Sequence, residues 1–258
     1  MFVTTAGRVN EKMIDSAKSV STQLGIPYVP RRKKSIQQLQ SEAQSSCIVT
    51  GNERFNLFAY GESDPFYFHP SSAMFRVKRL LDGGTDPLIE AADLKDGESF
   101  LDCTLGLASD SIVASCVIGE SGNVTGIEGN QYVSFIVKNG LKTWDSGLSA
   151  LDEAMQRVNV IHREAVAFLK TQPDNSWDCV YFDPMFEESI EESEGIKGLR
   201  QFALHGGIGA EEFAEAYRVA RKRVVLKDHY KSRRFDLYDF KRTIRKTAKF
   251  HFGYIEKN

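Results

Sequence analysis

Short apolar runs alternate with stretches of helical period along most of this chain. Runs at 100–103, 123–127, 158–162, 178–182, 223–227 and 249–255 have the length of buried strands. Helical spacing fills the gaps at 110–118, 131–155 (broken near Asp145-Ser146-Gly147), 164–170, 210–221 and 236–246. Strands separated by helices predict a mainly parallel sheet with right-handed crossovers, a doubly wound α/β layer of six strands. Residues 187–209 interrupt the rhythm. Glu187 to Glu194 is acidic, and Gly195, Gly198, Gly206, Gly207 and Gly209 follow. A segment of that length without strong period is expected to be a lid-like insertion or disordered.

The first sixty residues repeat the alternation on a smaller scale. Phe2–Thr5 reads as a strand, and Met13, Ile14, Ala17, Val20 and Leu24 share one face of a helix over 10–24 that Gly25 stops. Ile26–Val29 is a further strand candidate. Pro30-Arg31-Arg32-Lys33-Lys34 is a basic loop, and Ser35 caps a helix through Ala43. Runs at 47–50 and 55–60 flank the turn Gly51-Asn52-Glu53-Arg54. The predicted organisation is a small N-terminal α/β unit over 1–62, a hinge at Gly61–Pro65 and a larger α/β domain over 63–258. At the start of the larger part, Met74, Val77, Leu80 and Leu81 lie on one side of a helix, and Leu88–Ala92 continues helically.

Composition changes this picture little. Apolar residues make up 41% and charged residues 26%, as in a globular protein with a real core. No apolar run approaches the ~20 residues of a membrane helix. The N-terminus lacks a signal-like apolar stretch, and Cys47, Cys103, Cys116 and Cys179 form no Cys-x-x-Cys pair. A cytoplasmic protein with reduced thiols and no metal centre is expected. Charge adds more. The net of −2 hides +4 over residues 1–60, −16 over 61–217 and +10 over 218–258. Basic ends around an acidic middle suit either a polyanion partner or solvated helix faces.

Candidate chemistry gathers where strands end. The first strand of the larger sheet runs into Asp102-Cys103-Thr104-Leu105-Gly106-Leu107-Ala108-Ser109-Asp110. Gly106 permits close backbone approach to a ligand, and Asp110 falls at a helix start, where the dipole favours a carboxylate. A diphosphate cofactor calls for three glycines and no carboxylate beside it. One glycine with two acids favours a cationic, phosphate-free nucleoside such as S-adenosyl-L-methionine over NAD, against the plainer reading of a turn glycine with a helix cap. Glu128 closes the next strand, where ribose hydroxyls are bound in nucleoside folds. His162-Arg163-Glu164-Ala165 closes the third and offers a polar and a small residue to an adenine. The fourth ends in Val180-Tyr181-Phe182-Asp183-Pro184-Met185-Phe186. Pro184 stops the strand, Asp183 can accept from a planar amine and help remove its proton, and Phe186 can stack on a flat ring. The alternative is a strand terminator with a core phenylalanine. His69 and Arg76, just upstream, suit a covering or a structural role.

These segments, 101–110, 180–186 and Lys222–Lys227, resemble class I S-adenosylmethionine-dependent methyltransferases, and within them the RsmJ family, which methylates guanine N2 in small-subunit ribosomal RNA. The resemblance covers about residues 98–230. It implies a Rossmann-like fold, S-adenosyl-L-methionine as cofactor, RNA as substrate, and cofactor contacts at Ser109, Asp110, Glu128, Gly129, Glu164, Ala165 and Asp183. The chain departs from the family in having Ala108-Ser109 for a Gly-Arg pair, and Glu187, Glu188 and Glu191 where basic residues stand. Val3–Arg8 with Ile26–Ser35 resembles the Brix domain of ribosome-assembly proteins, which implies RNA docking through Arg8, Arg31, Arg32, Lys33 and Lys34; with RNA as substrate, the C-terminal basic segment is expected to be a second RNA surface. The rivals are a nicotinamide-dependent oxidoreductase and a non-catalytic RNA-binding assembly factor with a degenerate pocket.

Overall fold

The computed structural model describes residues 1–184, 199, 202 and 208–257 of the 258. Three short strands, β1 (Phe2–Thr5), β2 (Cys47–Thr50) and β3 (Phe55–Phe58), form a sheet of their own in that order. β1 and β2 run parallel and β3 antiparallel to β2. The crossover carries helices α1 (Glu11–Leu24) and α2 (Ile36–Ala43). Asn10 caps α1 by accepting from the Met13 N–H at 2.8 Å, and Gly25 ends it at φ 63°. Ser35 and Gln38 cap α2 reciprocally. The strand expected at Ile26–Val29 is reduced to a single bridge between Tyr28 and Val3. Pro27 and Pro30 lack the N–H groups a longer ladder needs.

The larger sheet has strands β4 (Ser99–Asp102), β5 (Asn123–Glu128), β6 (Val158–His162), β7 (Trp177–Phe182), β8 (Ala220–His229), β9 (Lys241–Thr243) and β10 (Phe250–Glu256), in the order β6-β5-β4-β7-β8-β10-β9. The first five of that order are parallel; β10 runs antiparallel to both β8 and β9. The chain winds outward from β4 through β5 to β6, then returns to β7 on the other side of β4. That reversal places a crevice beyond the carboxyl ends of β4 and β7, where ligands bind in open α/β sheets. β7 is buried along its whole length, as expected of a central parallel strand.

Among the described residues the sheet has seven strands, not six, and the helix expected over 236–246 is absent. Arg234–Leu237 makes a single helical turn, Asp239 takes a left-handed φ of 56°, and Lys241–Thr243 then pairs with β10. The open edge of β10 offers backbone partners, which overrides a weak local helical preference.

Helices α3 (Ser71–Leu81), α4 (Pro87–Ala92), α5 (Ser109–Ile118), α6 (Gln131–Thr143), α7 (Ser149–Arg157), α8 (Ala165–Leu169) and α9 (Ala210–Val219) cover the sheet. α5 is buried on nearly every side, which explains its lack of a polar face. One apolar core runs from Val3, Ile48 and Leu57 of the small sheet through Phe66 and Phe68 to Phe100, Tyr181 and Val225. No helix among the described residues is long and apolar enough to cross a membrane.

Candidate active site

The turn after β4 is built by its own side chains. Asp102 is 1% exposed, and its carboxylate accepts from Ser111 Oγ at 2.7 Å, the Thr104 N–H at 2.9 Å and Thr104 Oγ1 at 3.3 Å. Burial pushes its carboxyl up to about 7, against the pull of the Ser111 and Thr104 hydrogen bonds. Asp102 therefore shapes the loop from inside. Thr104 Oγ1 also accepts from the Asp183 N–H at 2.6 Å, which clasps the ends of β4 and β7 together. Leu105 lies over β5 where Gly126 leaves room; a Cβ there would overlap Leu105 Cδ1. The backbone then turns through two left-handed residues, Gly106 (φ 48°) and Ala108 (φ 60°). At Ala108, where the RsmJ-like pattern has glycine, that conformation costs about 1 kcal/mol. α5 begins directly after it with no side-chain cap, so its first N–H groups stay available.

A charged network spans the same edge. Asp110 Oδ1 accepts from Arg76 Nη1 at 2.5 Å, and its Oδ2 accepts from the Tyr181 hydroxyl at 3.0 Å and Lys227 Nζ at 3.1 Å. Lys227 Nζ also donates to Asp183 Oδ2 at 2.5 Å. Arg76 pairs with Asp86 as well, through Nε and Nη2 at 2.8 Å each, and Arg79 joins them. Burial alone would raise Asp110, yet the Lys227 ammonium and Arg76 guanidinium hold it well below the usual carboxylate range. Burial would lower Lys227, and Asp110 and Asp183 raise it instead. For Asp183 the balance falls the other way. Burial, reinforced by the Asp110 carboxylate, pushes it up to about 6 although Lys227 pulls down.

Sequence reasoning placed Asp110 and Asp183 at this edge but missed Thr104, Ser111, Tyr181 and Lys227. Lys227 carried a signal of its own: like Asp183, it is a charge that directly follows an apolar run. Arg76, which suits a covering or a structural role by sequence, is turned inward by α3 to bridge Asp86 and Asp110. His69, by contrast, bonds Ser71 Oγ at 3.2 Å and takes no part.

Glu128 ends β5 half-buried. Its carboxylate accepts from the Asn130 N–H at 2.9 Å and from the Gly106 and Gly129 N–H groups, so it ties the two loops that flank the crevice. Burial raises its pKa. Gly129 is held by His162, whose Nε2 lies 3.1 Å from the Gly129 carbonyl. Ser109 is the first residue of α5, Ala165 the first of α8, and Glu164 is exposed at the cap of α8. Pro184 is buried behind Asp183. Phe186 and the acidic segment 187–194 lie outside the described residues.

These groups suit a nucleoside with an amino-acid tail better than a dinucleotide. Glu128 stands at the strand end that meets ribose hydroxyls, and the uncapped start of α5 suits a carboxylate. The turn after β4 carries one glycine, Gly106, where a diphosphate cradle calls for three.

Comparison with known proteins agrees. The chain is 47% identical over 259 residues to the uncharacterized protein YpiP of Bacillus subtilis (strain 168), covering 99% of each. It is 26% identical over 189 residues to ribosomal RNA small subunit methyltransferase J of Shewanella sediminis, covering 71% of this chain and 70% of that one. In fold it resembles the crystal structure of the SAM-dependent methyltransferase NGO1261 from Neisseria gonorrhoeae, with a TM-score of 0.61 at 17% identity over 99% of this chain and 96% of that one. A family model described as "Putative SAM-dependent methyltransferase" matches residues 31–250. With that match across most of its length, and a Rossmann-like sheet whose crevice suits the cofactor, the chain belongs to the SAM-dependent methyltransferases.

Proposed function

We propose that this methyltransferase acts on an exocyclic amine of a base in RNA, and in the narrow form on guanine N2 of small-subunit ribosomal RNA. The observation that carries the reading is Asp183 at the end of β7. Lys227 and Thr104 fix its Oδ2 and its N–H, while Oδ1 accepts no hydrogen bond from the described residues. Pro184 follows it and has no N–H of its own. A carboxylate oxygen and a backbone carbonyl side by side match the two hydrogens of an amine. The ribosomal RNA small subunit methyltransferase J of Shewanella sediminis supports RNA as the substrate class.

S-adenosyl-L-methionine, when bound, supplies an electrophilic methyl group. Gly106, Ser109, Glu128, Gly129, Glu164 and Ala165 are proposed to hold it, with Asp102 and Asp110 bracing the loops behind. Asp183 and the Pro184 carbonyl accept the amine hydrogens, which draws the nitrogen lone pair out of conjugation with the ring. Asp183 also favours loss of the proton from the methylated amine. Phe186 is proposed to stack on the base. Residues 1–62 are proposed as an RNA-docking unit. In its basic loop, Arg31 donates inward to the Lys34 and Thr5 carbonyls and Lys34 pairs with Glu42. Arg32 and Lys33 are the exposed cations left for phosphates.

The pH profile tests the role of Asp183. Its carboxyl titrates near 6, raised by burial, and only the ionised form both keeps the Lys227 pair and accepts from the amine. The rate of methyl transfer is expected to rise with pH to a plateau, with a midpoint near 6. Lys227→Met removes the opposing cation and moves that midpoint upward by about one pH unit or more. A flat profile from pH 5 to 8 would remove Asp183 from the chemistry.

The reading as a whole is tested by nucleoside mass spectrometry of small-subunit ribosomal RNA from cells with and without the gene. One N2-methylguanosine is expected to vanish in the deletion and return on complementation. An unchanged guanosine profile rejects the narrow form, and unchanged methylated nucleosides across all RNA classes reject RNA as substrate.

A further inference from the structure

Two loops meet beside Lys227, at the acceptor end of the crevice. One is 229–233, which leaves the carboxyl end of β8. The other is 244–251, which enters β10. Antiparallel pairing sets Phe250 opposite His229, and the Tyr230 N–H donates to the Lys249 carbonyl at 3.2 Å, so the loops lie side by side. Rings and cations interleave there. Lys227 Nζ stands 5.1 Å from the centre of the Phe250 ring, and the Arg245 guanidinium lies 5.4 Å from the same ring. The His229 and Tyr230 rings are 4.6 Å apart, and Lys231 Nζ is 5.5 Å from the Tyr230 ring.

Lys227 links Asp183 to the Phe250 ring, Phe250 pairs with His229, and the His229 ring leads to Tyr230 at the surface. Tyr230 is 42% exposed. The two loops contribute Lys231, Arg233, Arg245, Lys246 and Lys249 and not one acidic residue. The neighbouring Asp228 is buried and occupied by Ser232 and Arg234. An exposed ring among cations that pair with no carboxylate of the described residues is the chemistry that holds single-stranded nucleic acid: cations follow the phosphates and the ring stacks on a base.

We infer that this shelf binds the RNA strand next to the target base, with Tyr230 stacking on a neighbouring base and Lys231 and Lys249 meeting its phosphates. The inference rests on the proposed RNA substrate and adds to it the place where the flanking strand docks. The shelf is built from elements of the larger sheet, apart from the N-terminal basic loop.

The test is fluorescence anisotropy of the full chain with a fluorescein-labelled 20-nucleotide single-stranded RNA over a range of KCl, with calorimetric binding of S-adenosylhomocysteine in parallel. Tyr230→Ala is expected to weaken RNA binding about tenfold, and Tyr230→Phe to stay within about twofold of wild type, because the ring rather than the hydroxyl stacks. Lys231→Ala with Lys249→Ala is expected to lower the slope of log affinity against log salt by about 1. All three variants should bind S-adenosylhomocysteine as wild type does, which shows that they fold. Wild-type RNA affinity and salt slope in Tyr230→Ala and the double lysine variant overturn the shelf and leave the methyltransferase reading intact. A wild-type protein that binds S-adenosylhomocysteine yet neither binds nor methylates RNA overturns both.

Discussion

Asp183→Ala is expected to lower kcat for methyl transfer about a hundred- to a thousandfold while leaving affinity for S-adenosylhomocysteine within about threefold. The amine nitrogen of a base is a poor nucleophile because its lone pair is shared with the ring. Acceptors fixed at both N–H groups stabilise a pyramidal nitrogen more than a planar one, so their effect falls on the transition state and not on ground-state binding. Asp183 is already immobilised by Lys227 at 2.5 Å and by the clasp to Thr104 at 2.6 Å, so little reorganisation is needed when the amine arrives. Asp183→Asn provides the contrast. It keeps an acceptor oxygen but loses the charge, and it is expected to fall between wild type and alanine. Single-turnover rates with saturating RNA measure the effect; a rate for Asp183→Ala equal to wild type would remove this residue from catalysis.

Asp110→Ala is expected to cost about 3–5 kcal/mol of folding stability. The aspartate is 7% exposed and answers two cations at once. Without it, Arg76 and Lys227 retain Asp86 and Asp183 but stand in a poorly solvated crevice with less opposing charge. The Tyr181 hydroxyl, buried against it, loses its acceptor too. Removing one member of a buried network is costly because the remaining charges stay buried. The double variant Asp110→Ala with Arg76→Met should therefore lose less than the sum of the two single changes. Urea unfolding of the four proteins gives the coupling directly, and a strictly additive cycle would show that the pair acts independently.

The two outcomes differ in what the sequence revealed of each residue. Asp183 was legible because its signal is local: an apolar run, a carboxylate and a proline in succession can end a central strand in few other ways. Glu128 was legible by its place at the end of a strand-like run, without a proline. Asp110 was placed at a helix start, which is correct, but its partners were hidden. Arg76 lies 34 residues before it and Lys227 lies 117 after it. Thr104 and Ser111 were passed over because a hydroxyl in a turn has too many possible partners for its type to point to one.

The same divide runs through the fold. Alternating apolar and helical periods predicted the parallel strands and most helices, since each period depends on neighbours two to four residues away. It failed where an outside partner decided. Lys241–Thr243 became an edge strand because β10 had an open flank, and Ile26–Val29 stayed a single bridge because prolines stood where donors were required. By itself the sequence determined that strands would end in Asp102, Glu128 and Asp183, and that one of them would meet a proline. Only the tertiary structure decided that Asp102 turns inward, that Arg76 and Lys227 converge on Asp110, and that Tyr230 stands exposed just past the end of β8. Strand order and register bring together residues a hundred positions apart, and packing across the whole sheet fixes both.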